Sequence, residues 1–353
     1  MSRTRVTVAV SQAPGKHPAK RALEESIVAA LLLEPDVEVS VVPNLYDLGP
    51  DHTGRLFLES VKGDMVVLSW LYPRAAFWLL DRDGIKGHFG ETKLKPPADD
   101  DEEAETDADT PVDQPPAIGP AGTIPDRFIY TLDLRDSNRY EAYVAEIKRI
   151  VAECRERRAA KARERAANSP AIIQLGLSLS KPEPEDVPAP QKAFTPEALL
   201  AAPAGRRWYP VIDYSRCTNC LECLDFCLFG VYGVDSIERI LVENQDQCKK
   251  GCPACSRVCP QQAIIFPEYK SAAIAGAETG AVGGLKIDLS RLFGGDVGDA
   301  LAAAVEERDR ELVNAGREAV GLSVGIPKRQ ADKVQGPKDD LDRLVDDLDN
   351  LGL

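Results

Sequence analysis

Apolar positions along the first 90 residues switch between strand and helix spacing. Val6 to Val10 is an apolar run of strand length. Pro18 to Leu33 repeats apolar residues at helical spacing through Leu23, Ile27, Ala30 and Leu31, and Val37 to Val42 returns to a strand pattern. His52 to Lys62 predicts a helix, Met65 to Leu71 a third and wholly apolar strand, and Arg127 to Leu134 a fourth, with a helix starting near Ser137. Strands alternating with helices predict a small α/β domain with a parallel, doubly wound sheet. Residues 1–95 and 126–153 form that domain, and 96–125 interrupt it.

The pattern then loses its regularity. The helix from Ser137 runs into a basic end (Arg155, Arg157, Arg158, Lys161, Arg163, Arg165), expected to be a solvated face of high helix propensity, with contact to an acidic partner as the alternative. Cys154 on this helix reads as a structural cysteine. Residues 154–206 comprise this basic end and an inter-domain linker, in which Pro182, Pro184, Pro188 and Pro190 follow an apolar stretch from Ile172 to Leu179. After Lys270 comes a Gly/Ala-rich, partly helical extension over 271–353, with helices expected from Val297 to Asn314 and from Asp339 to Leu351. The latter carries Leu341, Leu344, Val345 and Leu348 on one stripe, suited to docking on its own protein or on a partner.

Charge sharpens this division. The chain of 353 residues carries a formal net charge of −14. Nine acids lie between Asp99 and Asp113, and no Lys or Arg occurs between Lys95 and Arg127, so the excess belongs to one segment expected to be a disordered insertion. No basic footprint points to nucleic acid. No run of 18 apolar residues predicts a membrane span. The first residues lack the apolar core and cleavage site of a signal peptide, which makes a cytoplasmic protein the expectation.

Eight of the nine cysteines fall within 43 residues, too dense for disulfides in a reducing compartment and suggestive of a metal. Cys217, Cys220, Cys223 and Cys227 form a C-x2-C-x2-C-x3-C run. Cys248, Cys252, Cys255 and Cys259 form C-x3-C-x2-C-x3-C, followed by Pro260. Three closely spaced thiolates can wrap one face of a cubane, with the fourth supplied from elsewhere in the chain. Short strands at Val211 to Asp213 and Ala263 to Phe266 flank the runs, and Val231 to Asp235 with Ile240 to Glu243 predict a central hairpin.

With these residues the segment 207–270 resembles the bacterial-type dicluster ferredoxin domain family, an α+β fold. The resemblance implies two 4Fe-4S clusters, one on Cys217, Cys220, Cys223 and Cys259, the other on Cys248, Cys252, Cys255 and Cys227. It implies electron transfer with redox partner proteins, and the large segments on either side suggest a subunit or dedicated donor rather than a self-sufficient enzyme. Two departures stand out: Leu228 replaces the proline expected after Cys227, and three residues rather than two separate Cys248 from Cys252. The Cys248-x3-Cys252-x2-Cys255 spacing also occurs in radical S-adenosylmethionine enzymes, but Ala254 stands where that family has an aromatic residue, and no catalytic barrel follows. A zinc module would use two separated knuckles rather than three thiolates within seven residues.

The N-terminal domain has no phosphate-binding glycine motif. Gly15 and Lys16 lie before a helix N-terminus suited to an anion, with His17 beside them. Trp70, Tyr72, Pro73, Arg74, Phe77 and Trp78 follow the third strand, where pocket lining competes with ordinary packing. An enzyme or ligand-binding unit fed by the clusters is therefore the alternative expectation.

Overall fold

The computed structural model describes residues 5–94, 116–168, 194–203, 205–277 and 297–323. They fall into two compact units: the sheet and residues through Arg206 in the first, residues 116–121 and those from Arg207 in the second.

The first unit is an α/β sandwich. In chain order it comprises β1 (Val6–Ser11), α1 (Pro18–Leu31), β2 (Val37–Val42), α2 (Thr53–Ser60), β3 (Met65–Ser69), α3 (Pro73–Arg82), β4 (His88–Gly90), β5 (Phe128–Asp133), α4 (Tyr140–Asn168) and α5 (Pro196–Leu199). All five strands are parallel, in the order β2-β1-β3-β5-β4. The central β1 and β3 read as mostly apolar runs, broken only by Thr7, Ser11 and Ser69, because both their faces are covered. On β5, Tyr130 and Leu132 join Val8, Val10 and Leu68 against Ile27 and Leu31 of α1 and Tyr143, Ile147 and Ile150 of α4. Thr131 points the other way, as the two-residue period of a strand requires, and donates its hydroxyl to the Pro73 carbonyl of α3 at 3.0 Å. Helices on both faces make the sheet doubly wound.

Two elements were not expected from the sequence. α3 and the edge strand β4 both precede the acidic segment, so the sheet has five strands rather than four. β4 has three residues, two of them exposed, and is too short to show a period. Gly90 fits there because a Cβ would strike the Tyr130 ring.

At the basic end of α4, Arg155 and Arg163 are exposed as expected of a solvated face, while several cations also find acids. Arg157 and Arg158 reach the buried Asp64 carboxylate at 3.2 and 3.1 Å, Arg155 reaches Asp36 at 2.8 Å, and Lys161 reaches Asp126. Acids of the same unit, brought near only by folding, pair this face. α4 runs to Asn168, where the linker was expected to begin, and the end of that linker folds on the sheet unit, with Phe194 edge-on to Phe57 at 5.6 Å. The Pro-rich stretch and Ile172 to Leu179 lie outside the described residues, as do the acids from Asp99 to Asp113 and the expected helix from Asp339.

The second unit holds β6 (Val211–Ile212), α6 (Glu222–Phe226), β7 (Tyr232–Val234), β8 (Ile240–Val242), α7 (Ala254–Val258), β9 (Ile264–Ile265), α8 (Ala272–Ala275) and α9 (Val297–Asn314). β6 pairs antiparallel with β9, and β7 with β8 as the expected hairpin. Residues 116–121 were expected within the insertion, yet the Ile118 and Gly119 N–H groups donate to the Cys217 and Tyr214 carbonyls at 2.8 and 2.9 Å.

Candidate functional site

The buried Asp213 carboxylate takes the Ser215 N–H at 2.9 Å and the Ser215 hydroxyl at 2.5 Å, and the Asp213 carbonyl takes the Cys217 N–H at 3.0 Å. This turn launches the first cysteine run. Asn219 and Leu221 then adopt positive φ (58° and 62°), and Gln262 after the last cysteine does the same (49°). A left-handed leucine costs roughly 1–2 kcal/mol, and such strain gathers at functional sites. Asn219 anchors the curl, donating to the Glu238 carbonyl at 2.9 Å and accepting from the Ile240 N–H at 2.8 Å. The loop bends so that its thiols face one space.

That space is lined by Cys217, Cys220, Cys223 and Cys259, together with apolar side chains such as Ile212 and Ile264. A second space is lined by Cys227, Cys248, Cys252 and Cys255, with Phe226, Phe229 and Tyr232 around them. Each has a cavity volume of about 20 Å³. Each cavity therefore takes three thiols from one run and one from the other. The exchange follows from α6 and α7, whose ends project Cys227 and Cys259 away from their own runs.

Neither departure from the family pattern disturbs this. Cys227 takes φ −80° and ψ 100°, close to the −71° and 113° of Cys259, although only Cys259 precedes a proline. The extra residue before Cys252 is absorbed at Gly251, whose φ of +88° glycine adopts without penalty.

Burial pushes the thiols up, disfavouring their ionised form. Cys252 and Cys259 rise to about 11, and Cys223 and Cys255 rise well above the ordinary range. Backbone N–H groups oppose the shift, those of Phe229, Gly230 and Val231 at Cys227 and that of Ala263 at Cys259. Among the described residues no three Cys, His, Asp or Glu side chains converge tightly enough for a single metal ion. Four soft sulfur donors in each cavity, with N–H dipoles aimed at them, are a donor set suited to a thiolate-bound metal group.

The remaining candidates sit elsewhere. Cys154 is fully buried between α4 and β5, its thiol raised to about 11 by burial, consistent with a structural role. Lys16 and His17 are exposed, and the His17 side chain makes no cap bond to α1. Gly15 lines a polar cavity of about 330 Å³ with Arg21, Asn44, Asp47 and Arg206, at the carboxyl ends of β1 and β2. The aromatic cluster packs as core and rim: Phe77 and Trp78 are buried, Trp70 donates to Glu24 at 2.8 Å, and Arg135 covers Tyr72 at 3.9 Å.

One carboxylate at that sheet edge is perturbed. Burial, reinforced by the neighbouring Asp133 and opposed by Arg135, pushes Asp136 up from 3.8 to about 7. The folded state thus favours the protonated form. The stability Asp136 contributes is complete below about pH 4 and is lost as pH rises to about 7. Asp136→Asn is expected to remove that decline, so its urea midpoint should gain on the wild type between pH 4 and 7 and hold its lead above. A constant difference across this window would refute the assignment.

Sequence reasoning missed Asn219, Tyr232 and Arg308 at the cavities. A strand tyrosine and a helix arginine carry no local signal of what they approach. Comparison with protein-family models, with curated proteins and with solved structures gives no match for this chain.

Proposed function

We propose that the chain is an iron–sulfur electron carrier with a dicluster ferredoxin-like unit and two 4Fe-4S clusters, one in each thiol cavity. The carrying observation is the sorting of eight cysteines into two sets of four, with Cys227 and Cys259 exchanged between runs. Three thiolates crowded into seven residues suit a cubane better than the separated knuckles of a zinc module. The clusters supply one-electron transfer and break no bond. The chain's residues hold them through thiolates and limit water through Ile212, Ile264, Phe226 and Phe229. The 207–270 segment has seven basic and eight acidic residues and no dominant charge for docking. The segments on either side favour a specific redox partner, with the chain acting as a subunit or dedicated donor.

Anaerobic purification with an iron and sulfide count tests this reading. About eight irons, about eight sulfides and a broad absorption shoulder near about 400 nm are expected for two four-iron cubanes. A colourless protein holding zinc would overturn it. A second reading, a ligand-binding or enzymatic α/β unit fed by the clusters, is favoured by the polar cavity beside Gly15 and Arg206. A flavin or tetrapyrrole co-purifying with the chain would support it.

A further inference from the structure

The two thiol cavities differ in their charged and polar lining. Glu222 is the charged residue lining the first, whereas Lys249 and Arg308 line the second. Arg308 arrives on α9, which packs against α7, and it is 1% exposed. Its guanidinium lies over the Phe226 ring at 4.7 Å and donates to the Gly321 carbonyl at 2.6 Å. The Tyr232 hydroxyl, also buried, donates to the Cys255 sulfur at 3.1 Å. Backbone N–H groups reach sulfurs in both cavities, such as Ala263 to Cys259 and Ala254 to Cys252, so they do not separate the two.

Acids of α9 offset part of this positive charge, since Glu307 and Glu311 both act on Cys252. Arg257 holds Glu307 through two hydrogen bonds of 2.9 and 3.0 Å, Arg308 holds Asp309 at 3.0 Å, and Arg310 lies 3.7 Å from Glu311. Near Cys217, Arg239 and Asp213 act in opposite directions. The Tyr232 hydroxyl on Cys255, and Lys249 with Arg308 against Glu222, are the differences in lining between the sites. Reduction adds one negative charge to a cluster, and in a buried setting nearby cations and hydrogen bonds to sulfur stabilise the reduced form.

We propose that Tyr232 and Arg308 hold the second-cavity cluster at a higher reduction potential than the first, an inference that rests on the two-cluster reading. Both act as positioning residues that set a potential, and electrons delivered to the protein come to rest on the cluster beneath α9.

The test is a redox titration of the full, anaerobically purified chain with dithionite, followed by electron paramagnetic resonance. Tyr232→Phe and Arg308→Gln are each expected to lower the higher potential by about 59 mV, a tenfold change in a one-electron equilibrium, and to leave the lower one in place. Arg308→Lys keeps the charge and should recover most of the shift. Glu222→Gln should instead raise the lower potential. Should Arg308→Gln fail to load iron, Tyr232→Phe, which keeps the ring in its buried site, still reads the same potential. Equal potentials in the wild type, or variants that leave the higher potential unmoved, overturn this inference alone. A chain without clusters overturns it together with the functional reading.

Discussion

Cys227→Ala is expected to halve the iron of the purified chain, from about eight atoms to about four, while sparing the cluster proposed for Cys217, Cys220, Cys223 and Cys259. Cys259→Ala should remove the other half. The exchange of the two cysteines between cavities makes the double variants decisive. Cys227 and Cys248 line one cavity, so removing both should still leave about four irons. Cys220 and Cys227 belong to one run but to different cavities, so that double variant should hold almost none. Four irons remaining in the Cys220→Ala, Cys227→Ala chain would mean that each run serves its own cluster and would refute crossed ligation. Because the small second unit has short strands and cluster ligation is coupled to folding, each loss should also loosen its secondary structure, readable by circular dichroism.

Asp64→Ala carries the largest expected cost in the sheet unit. Asp64 is 6% exposed and precedes β3, where its carboxylate accepts from the Phe128 N–H at 2.9 Å and lies 3.2 and 3.1 Å from the Arg157 and Arg158 guanidinium groups. It joins three segments of chain: the turn into β3, the start of β5 and the end of α4. Its removal takes a buried carboxylate from Arg157 and Arg158 and the acceptor from the Phe128 N–H, with an expected loss of about 3 kcal/mol. At a urea slope of about 2 kcal/mol/M the midpoint should fall by about 1.5 M. Asp64→Asn keeps an acceptor for Phe128 and should lose about half as much. Arg158 is partly exposed, so Arg158→Ala should cost about 1 kcal/mol or less. A midpoint within about 0.3 M of wild type for Asp64→Ala would show that solvent replaces these bonds freely.

Much of the fold is legible in local pattern. The apolar runs of β1, β2, β3 and β5 and the helical spacing of α1 and α9 each mark an element, because burial on two faces or on one stripe repeats at a fixed period. β4 escapes this logic, since three edge residues carry no period. The pairing of α4's basic end escapes it for another reason: Asp36, Asp64 and Asp126 lie far from those arginines and lysines in sequence. The segment at Ile118 and Gly119 reads as part of an acidic insertion, and only its hydrogen bonds to Tyr214 and Cys217 assign it to the second unit.

The sequence by itself determined the doubly wound α/β unit, the central hairpin, and two runs of four cysteines at metal-ligand spacing. Such features depend on residue type and near-neighbour spacing. Tertiary structure alone decided that the Tyr232 hydroxyl donates to Cys255 and that Arg308 meets one cavity and not the other. Those outcomes depend on how α6, α7 and α9 are aimed in space, which chain-local pattern does not encode.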